Sequence, residues 1–107
     1  MRLSTIRDNV RYLVQKHGWL HTAETRSLFL AAEAGELARE VVAYHFASTP
    51  EKQETIKAKM GAEMHDVIWN IVALADILDI DLEEAIISKM RHNDEREWTN
   101  NANEGLS

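Results

Sequence analysis

Four carboxylates stand in two pairs of the same spacing: Glu33 with Glu36, and Glu63 with Asp66 thirty positions on. Residues three apart on a helix are neighbours on one face, so each pair offers its oxygens to one side. An isolated pair of this kind is ordinarily solvated and balanced by a nearby Lys or Arg. Two pairs in matched register are harder to explain that way. Four converging carboxylates repel one another, and unless neutralised some must take up protons. A divalent cation relieves that repulsion. Hard oxygen donors suit Mg²⁺ or Mn²⁺, which leave places for water and for phosphate oxygens. Zinc fits less well, because the chain has no cysteine and His65, inside the second pair, is expected to point away from the carboxylates. A helix-bundle di-iron centre is disfavoured as well. It needs Glu-x-x-His on two helices, and no glutamate here is followed by histidine three positions later.

The elements that must hold these acids are helices. Ser4 or Thr5 caps a first helix that runs to about Lys16, with Ile6, Val10, Leu13 and Val14 as its apolar stripe and Gly18 as its end. Trp19, Leu20 and His21 form an aromatic connection. Thr22 caps a second helix to about Phe46, and Ser48-Thr49-Pro50 starts a third, hydroxyl first and proline next. The polar stretch from Pro50 to Lys59 is expected to fray, with the regular helix running from Met60 to Leu78. After a break at Asp79-Ile80, Asp81 and Glu84 make a capping box for a fourth helix, with Leu82, Ala85, Ile86 and Met90 on its buried side. Shifted by thirty residues, Leu30, Ala34, Leu37, Val41 and Tyr44 fall on Met60, Met64, Val67, Ile71 and Leu74. Both acidic pairs then border an apolar stripe on the same side. If the two helices pack antiparallel through those stripes, the four acids meet at the edge of the core.

The chain is 107 residues long with a formal charge of −6 and 45% hydrophobic residues, which fits one helical domain over residues 1–98 and a disordered tail over 99–107. The acidic balance argues against binding a nucleic-acid polymer through its backbone. No apolar run approaches the ~20 residues that cross a bilayer, and no signal-peptide apolar segment opens the chain, so a cytoplasmic protein is expected. Helix two has a second apolar side, Leu28, Ala31, Ala38 and Val42, and helix three repeats it with Ile68, Val72 and Ala75. Helices apolar nearly all round are buried, and one four-helix domain cannot cover both sides of two helices. A homodimer or a dimer of dimers follows.

The ordered set Glu33-Ala34-Gly35-Glu36-Leu37, then Glu63-Met64-His65-Asp66-Val67-Ile68-Trp69-Asn70, then Ile80-Asp81-Leu82-Glu83-Glu84-Ala85 through Lys89 and Asn93, resembles the MazG-like all-α nucleoside triphosphate pyrophosphohydrolases over roughly residues 20–97. The family signature is Glu-x-x-Glu, a spacer, then Glu-x-x-Asp. The resemblance implies an all-α, four-helix bundle-like domain and metal ligands at Glu33, Glu36, Glu63 and Asp66. It also implies hydrolysis of a nucleoside triphosphate to monophosphate and pyrophosphate. Lys89 and Asn93 match positions that meet substrate phosphate, and Asn70 matches a polar position near sugar or phosphate. Many relatives carry a second acid where this chain has Ala32, so Glu36 or Glu40 is the candidate to activate water. Relatives selective for pyrimidines place an aromatic after the first acidic helix; Tyr44, His45 and Phe46 give no clear match there. Trp19 and His21 are candidates to contact the base, although a packed loop aromatic is the commoner role. Lys89 reads equally as a solvated helix cation. Two rival readings are a non-enzymatic helical module with structural metal ligands and a phosphoribosyl-ATP hydrolase; base, sugar and physiological role are not legible.

Overall fold

The computed structural model describes residues 1–95, all helix and short connection, with no strand among them. The four helices are α1 (Leu3–His17), α2 (Ala23–Phe46), α3 (Pro50–Ile77) and α4 (Leu82–Asp94). Residues 96–107, which include the expected tail over 99–107 and the last three residues of the expected domain, lie outside the described part.

Local chemistry sets the boundaries. Gly18 ends α1 at φ 63°, the left-handed conformation that glycine adopts without a Cβ clash. The Thr22 and Thr49 hydroxyls accept from the backbone N–H groups of Thr25 and Lys52, each at 3.2 Å, and Pro50 takes the first helical position of α3, where its missing N–H costs nothing. That cap holds the polar start of α3 in regular helix from Pro50, so the expected fraying between Pro50 and Lys59 does not occur. Asp79 turns the chain at φ 55°, and Asp81 caps α4 by accepting from Glu84 N–H at 3.0 Å.

A three-residue connection folds α3 back antiparallel on α2, and this hairpin is the largest packed unit. Its seam keeps Leu30, Leu37 and Tyr44 of the expected stripe on α2 and Met60, Val67 and Leu74 on α3, all half-buried. With them lie Arg26, Glu33 and Glu40 on α2, and Ile56, Glu63, Asp66 and Asn70 on α3, buried or half-buried as well. Ala34, Val41, Met64 and Ile71 are exposed. Both helices are therefore rotated so that polar groups lie inside the seam rather than beside it.

α1 lies across the C-terminal half of α3. Val10, with no exposed surface, packs on Trp69, Val72 and Ala73, and Leu3, Ile6, Leu13, Val14 and Leu82 ring this core. Trp69 Nε1 donates to Asn9 Oδ1 at 3.0 Å, and Arg11 grips Asp76 through two hydrogen bonds of 2.7 and 3.1 Å. Part of the second apolar side of α3, Val72 and Ala75, is thus buried within one chain. α4 reaches the core only through Leu82. Among the described residues the rest of its expected buried side, Ala85, Ile86 and Met90, stands exposed.

Candidate functional site

The hairpin register brings the first and third acids together. Glu33 and Glu63 lie fifteen residues on either side of Ser48, the midpoint of the connection. In an antiparallel pair they stand level. Glu36 then lies one turn, about 4.5 Å, toward the connection, and Asp66 one turn the other way. The result matches that geometry: carboxylate oxygens of Glu33, Glu36 and Glu63 lie within 4.8 Å of one another. Asp66 stands next along α3, with Oδ1 accepting from His65 Nδ1 at 2.9 Å. The sequence reading had aimed His65 elsewhere; one rotamer choice turns it onto the adjacent carboxylate. Glu40 lies half-buried on the same seam, about 10 Å along the axis from Glu33, and outside the cluster.

The cluster is electrostatically unsettled. The Glu63 carboxyl is pushed above its ordinary range, first by the hydrogen bond it shares with Glu33, then by burial and by the charge of Glu33. One oxygen each of Glu33 and Glu63 is shut away from solvent with no hydrogen-bond partner. Buried oxygens left unpaired cost free energy, and a cation shared by the three carboxylates removes that cost. The three oxygens, within 4.8 Å of one another, must draw somewhat closer to share one octahedral Mg²⁺, whose opposite ligands are about 4.2 Å apart. By donor chemistry and spacing, the three residues fit a hard divalent ion.

Beside the cluster opens a cleft of about 230 Å³ lined by Leu13, Trp19, Glu33, His65, Asp66, Trp69 and Asn70. Trp19 stacks on His17 with centroids 4.9 Å apart and meets Trp69 edge-on at 6.0 Å. The cleft therefore joins two carboxylates of the paired motifs to an aromatic wall. A larger concavity, about 410 Å³, lies at the far end of α3 against α1. Two of its acids are committed elsewhere, Asp76 to Arg11 and Asp81 to the cap of α4, and with Asp79 and Glu83 they form no ligand cluster among the described residues.

Of the residues singled out by type and spacing, Glu33, Asp66, Asn70 and Trp19 share the cleft, and Glu36 and Glu63 adjoin it. His21 does not line it. That side chain is half-buried beside Arg26, its Nδ1 without a partner, and burial followed by the Arg26 charge lowers its pKa. Lys89 is exposed and Asn93 half-buried on α4; neither lines the cleft. The sequence assigns no site role to Arg26 or Trp69 and directs His65 away from the carboxylates. Heptad spacing held a signal for the first, since Arg26, Glu33 and Glu40 recur every seven residues, as do Glu63 and Asn70.

Comparison with known proteins converges on the same segment. The chain is 36% identical over 92 residues to the uncharacterized protein YvdC of Bacillus subtilis (strain 168), a match covering 80% of this chain and 87% of that one. It is 40% identical over 73 residues to the uncharacterized protein YpjD of the same organism, covering 65% of each. Residues 21–98, which contain the hairpin, both acidic pairs and α4, match the family described as the MazG nucleotide pyrophosphohydrolase domain. With the acids of its two helices drawn to one point beside an aromatic cleft, the chain belongs to the MazG nucleotide pyrophosphohydrolase family.

Proposed function

We propose that the protein is a Mg²⁺-dependent nucleoside triphosphate pyrophosphohydrolase, with Mn²⁺ as a substitute ion, that releases pyrophosphate and a nucleoside monophosphate. The convergence of Glu33, Glu36 and Glu63 beside the Trp19 cleft carries this reading. Glu33, Glu36, Glu63 and Asp66 hold the metal, whose chemistry is to neutralise phosphate charge and orient water for in-line attack.

The chain's own groups do the rest. Glu36 is the exposed acid of the cluster and accepts a proton from water at its carboxylate; Glu40, half-buried a turn further along the seam, is the second candidate for that role. Trp19, backed by His17, offers a flat apolar face to a base. Asn70 hydrogen-bonds the sugar or base. Lys89 and Asn93, one turn apart on α4, reach the phosphates when assembly or substrate brings α4 against the hairpin. In this reading Lys89 stabilises the leaving pyrophosphate. The protein works as a homodimer or dimer of dimers, and the modest cleft supports this, being smaller than the ~300 Å³ at the low end of complete small-molecule sites.

The test is pyrophosphate release from a panel of ribo- and deoxynucleoside triphosphates, with phosphoribosyl-ATP included, in the presence of Mg²⁺. Glu36→Gln is expected to lower turnover by roughly 10²-fold or more, and Asp66→Asn to weaken metal dependence. A folded, metal-binding protein that turns over nothing on the panel is instead a non-enzymatic helical module.

A further inference from the structure

Arg26 is a buried cation with no acid to balance it. It is 7% exposed, and among the described residues no carboxylate pairs with it. Its guanidinium lies over the rings of Phe29 at 5.0 Å and Trp69 at 5.5 Å. Nη2 donates to the Leu20 carbonyl at 3.3 Å, Nη1 donates to Asn70 Oδ1 at 3.4 Å, and Nε has no partner. Arg26 and Asn70 stand level across the hairpin, each twenty-two residues from Ser48. Placing a charge so deep without a counterion is costly, so a use beyond packing is expected of it.

The use lies in the amide it touches. Asn70 Nδ2 donates to the Asp66 carbonyl at 2.9 Å, while Oδ1 accepts from Arg26. Turning the amide over sets N–H against guanidinium N–H and oxygen against carbonyl oxygen, two repulsive contacts in place of two hydrogen bonds. Arginine is a donor only, so it permits one orientation. A cation on the amide oxygen also strengthens the remaining N–H as a donor and weakens the oxygen as an acceptor. Asn70 lines the cleft; Arg26 does not and stands behind it.

We propose that Arg26 is a positioning residue which locks Asn70 so that the cleft presents an amide N–H, selecting nucleotides that offer an acceptor oxygen at that wall. The inference rests on the nucleotide reading above and deepens it. The acceptor is a base carbonyl or a sugar oxygen; an amino group at the same place meets donor with donor and is rejected.

Steady-state kinetics on nucleotides that differ by carbonyl against amino, such as inosine and adenosine triphosphates, together with 3′-deoxy analogues, distinguish base from sugar as the source. Arg26→Met is expected to raise KM about tenfold, the worth of one good hydrogen bond, with kcat little changed. Arg26→Lys, still a donor, recovers most of the loss. In an Asn70→Ala background Arg26→Met adds nothing further. Additive effects, or a lower Tm with KM unchanged, overturn the proposal. Nuclear magnetic resonance of the Asn70 side-chain amide reads the lock without turnover: its signals are expected to exchange slowly in wild type and Arg26→Lys and quickly in Arg26→Met. Unchanged signals in Arg26→Met sink the lock while leaving the hydrolase reading intact. A wild type that shows the lock but hydrolyses no nucleotide refutes the hydrolase reading and the selection built on it, leaving the lock a structural contact.

Discussion

A carboxylate that is held beside two others and partly shut from water is kept for what it binds. Glu63 illustrates the trade. Its raised pKa means that the folded protein holds a proton there more tightly than the unfolded chain does. The metal-free fold therefore loses stability as pH rises from the ordinary glutamate range through the folded-state value. Glu63→Gln removes the repulsion and keeps a hydrogen-bonding group. In buffer free of divalent ions this variant is expected to melt a few degrees above wild type, on the order of what one relieved buried contact gives. Addition of Mg²⁺ is expected to raise the wild-type Tm and leave that of Glu63→Gln unmoved, as checked by calorimetry. A variant destabilised without metal would show that the cluster is an ordinary hydrogen-bonded one.

The element that matters most is the α2–α3 hairpin, because its short connection fixes which residues stand level. α1 holds the far end of it in place. Val10 is fully buried against Trp69, the ring that forms one wall of the cleft. Val10→Ala is expected to cost about 2 kcal/mol in urea unfolding at fixed protein concentration, from two lost methyl groups and the space they leave. Arg11 and Asp76 make the second tie between α1 and α3. The hydrogen bond from Arg11, more than its charge, holds the Asp76 carboxyl below the usual aspartate range. A depressed acid contributes stability above its unfolded value, near 3.8, and loses it as pH falls through the folded value. Wild-type Tm is thus expected to drop below about pH 4, and Asp76→Asn to start lower at pH 7 and to vary less over that interval.

At the scale of the whole molecule the surface is the anomaly. Leu28, Val42 and Phe46 on α2 are 71%, 57% and 76% exposed, and Met90 on α4 is 65% exposed beside Ile86 and Ile87. Scattered apolar residues on a surface are normal, but faces of this extent are what an interface would bury. No helix of the described residues is long and apolar enough to cross a membrane; in our reading a second copy of the chain covers these faces. Wild type is expected to sediment at two or four times the monomer mass, and Val42→Glu, which places a charge in the centre of that face, to sediment lighter. A wild type that is monomeric at micromolar concentration contradicts the assembly.

Apart from the start of α1, where Arg2 stands at the cap in place of the expected Ser4 or Thr5 and no side chain closes the first turn, the sequence by itself determined the helices, their caps and the acidic set. Those features depend on neighbours within a few residues: Thr22 and Thr49 before their helices, Gly18 and Asp79 in left-handed turns, carboxylates at three-residue spacing. It did not determine how far α2 and α3 rotate about their axes. Counting apolar residues places Leu30, Leu37, Tyr44, Met60, Val67 and Leu74 in the seam correctly but also favours Ala34, Val41, Met64 and Ile71, which are exposed, whereas the fold places Glu33, Glu63, Arg26 and Asn70 there. An apolar-stripe rule assigns the inside to whatever water rejects, and cannot see that opposed polar groups satisfy one another only once the hairpin has closed. That pairing across the connection, Arg26 to Asn70 and Glu33 to Glu63, is long-range. So is the fate of α4: among the described residues only its Leu82 joins the core while Ala85, Ile86 and Met90 stay exposed, which no local pattern within α4 reveals.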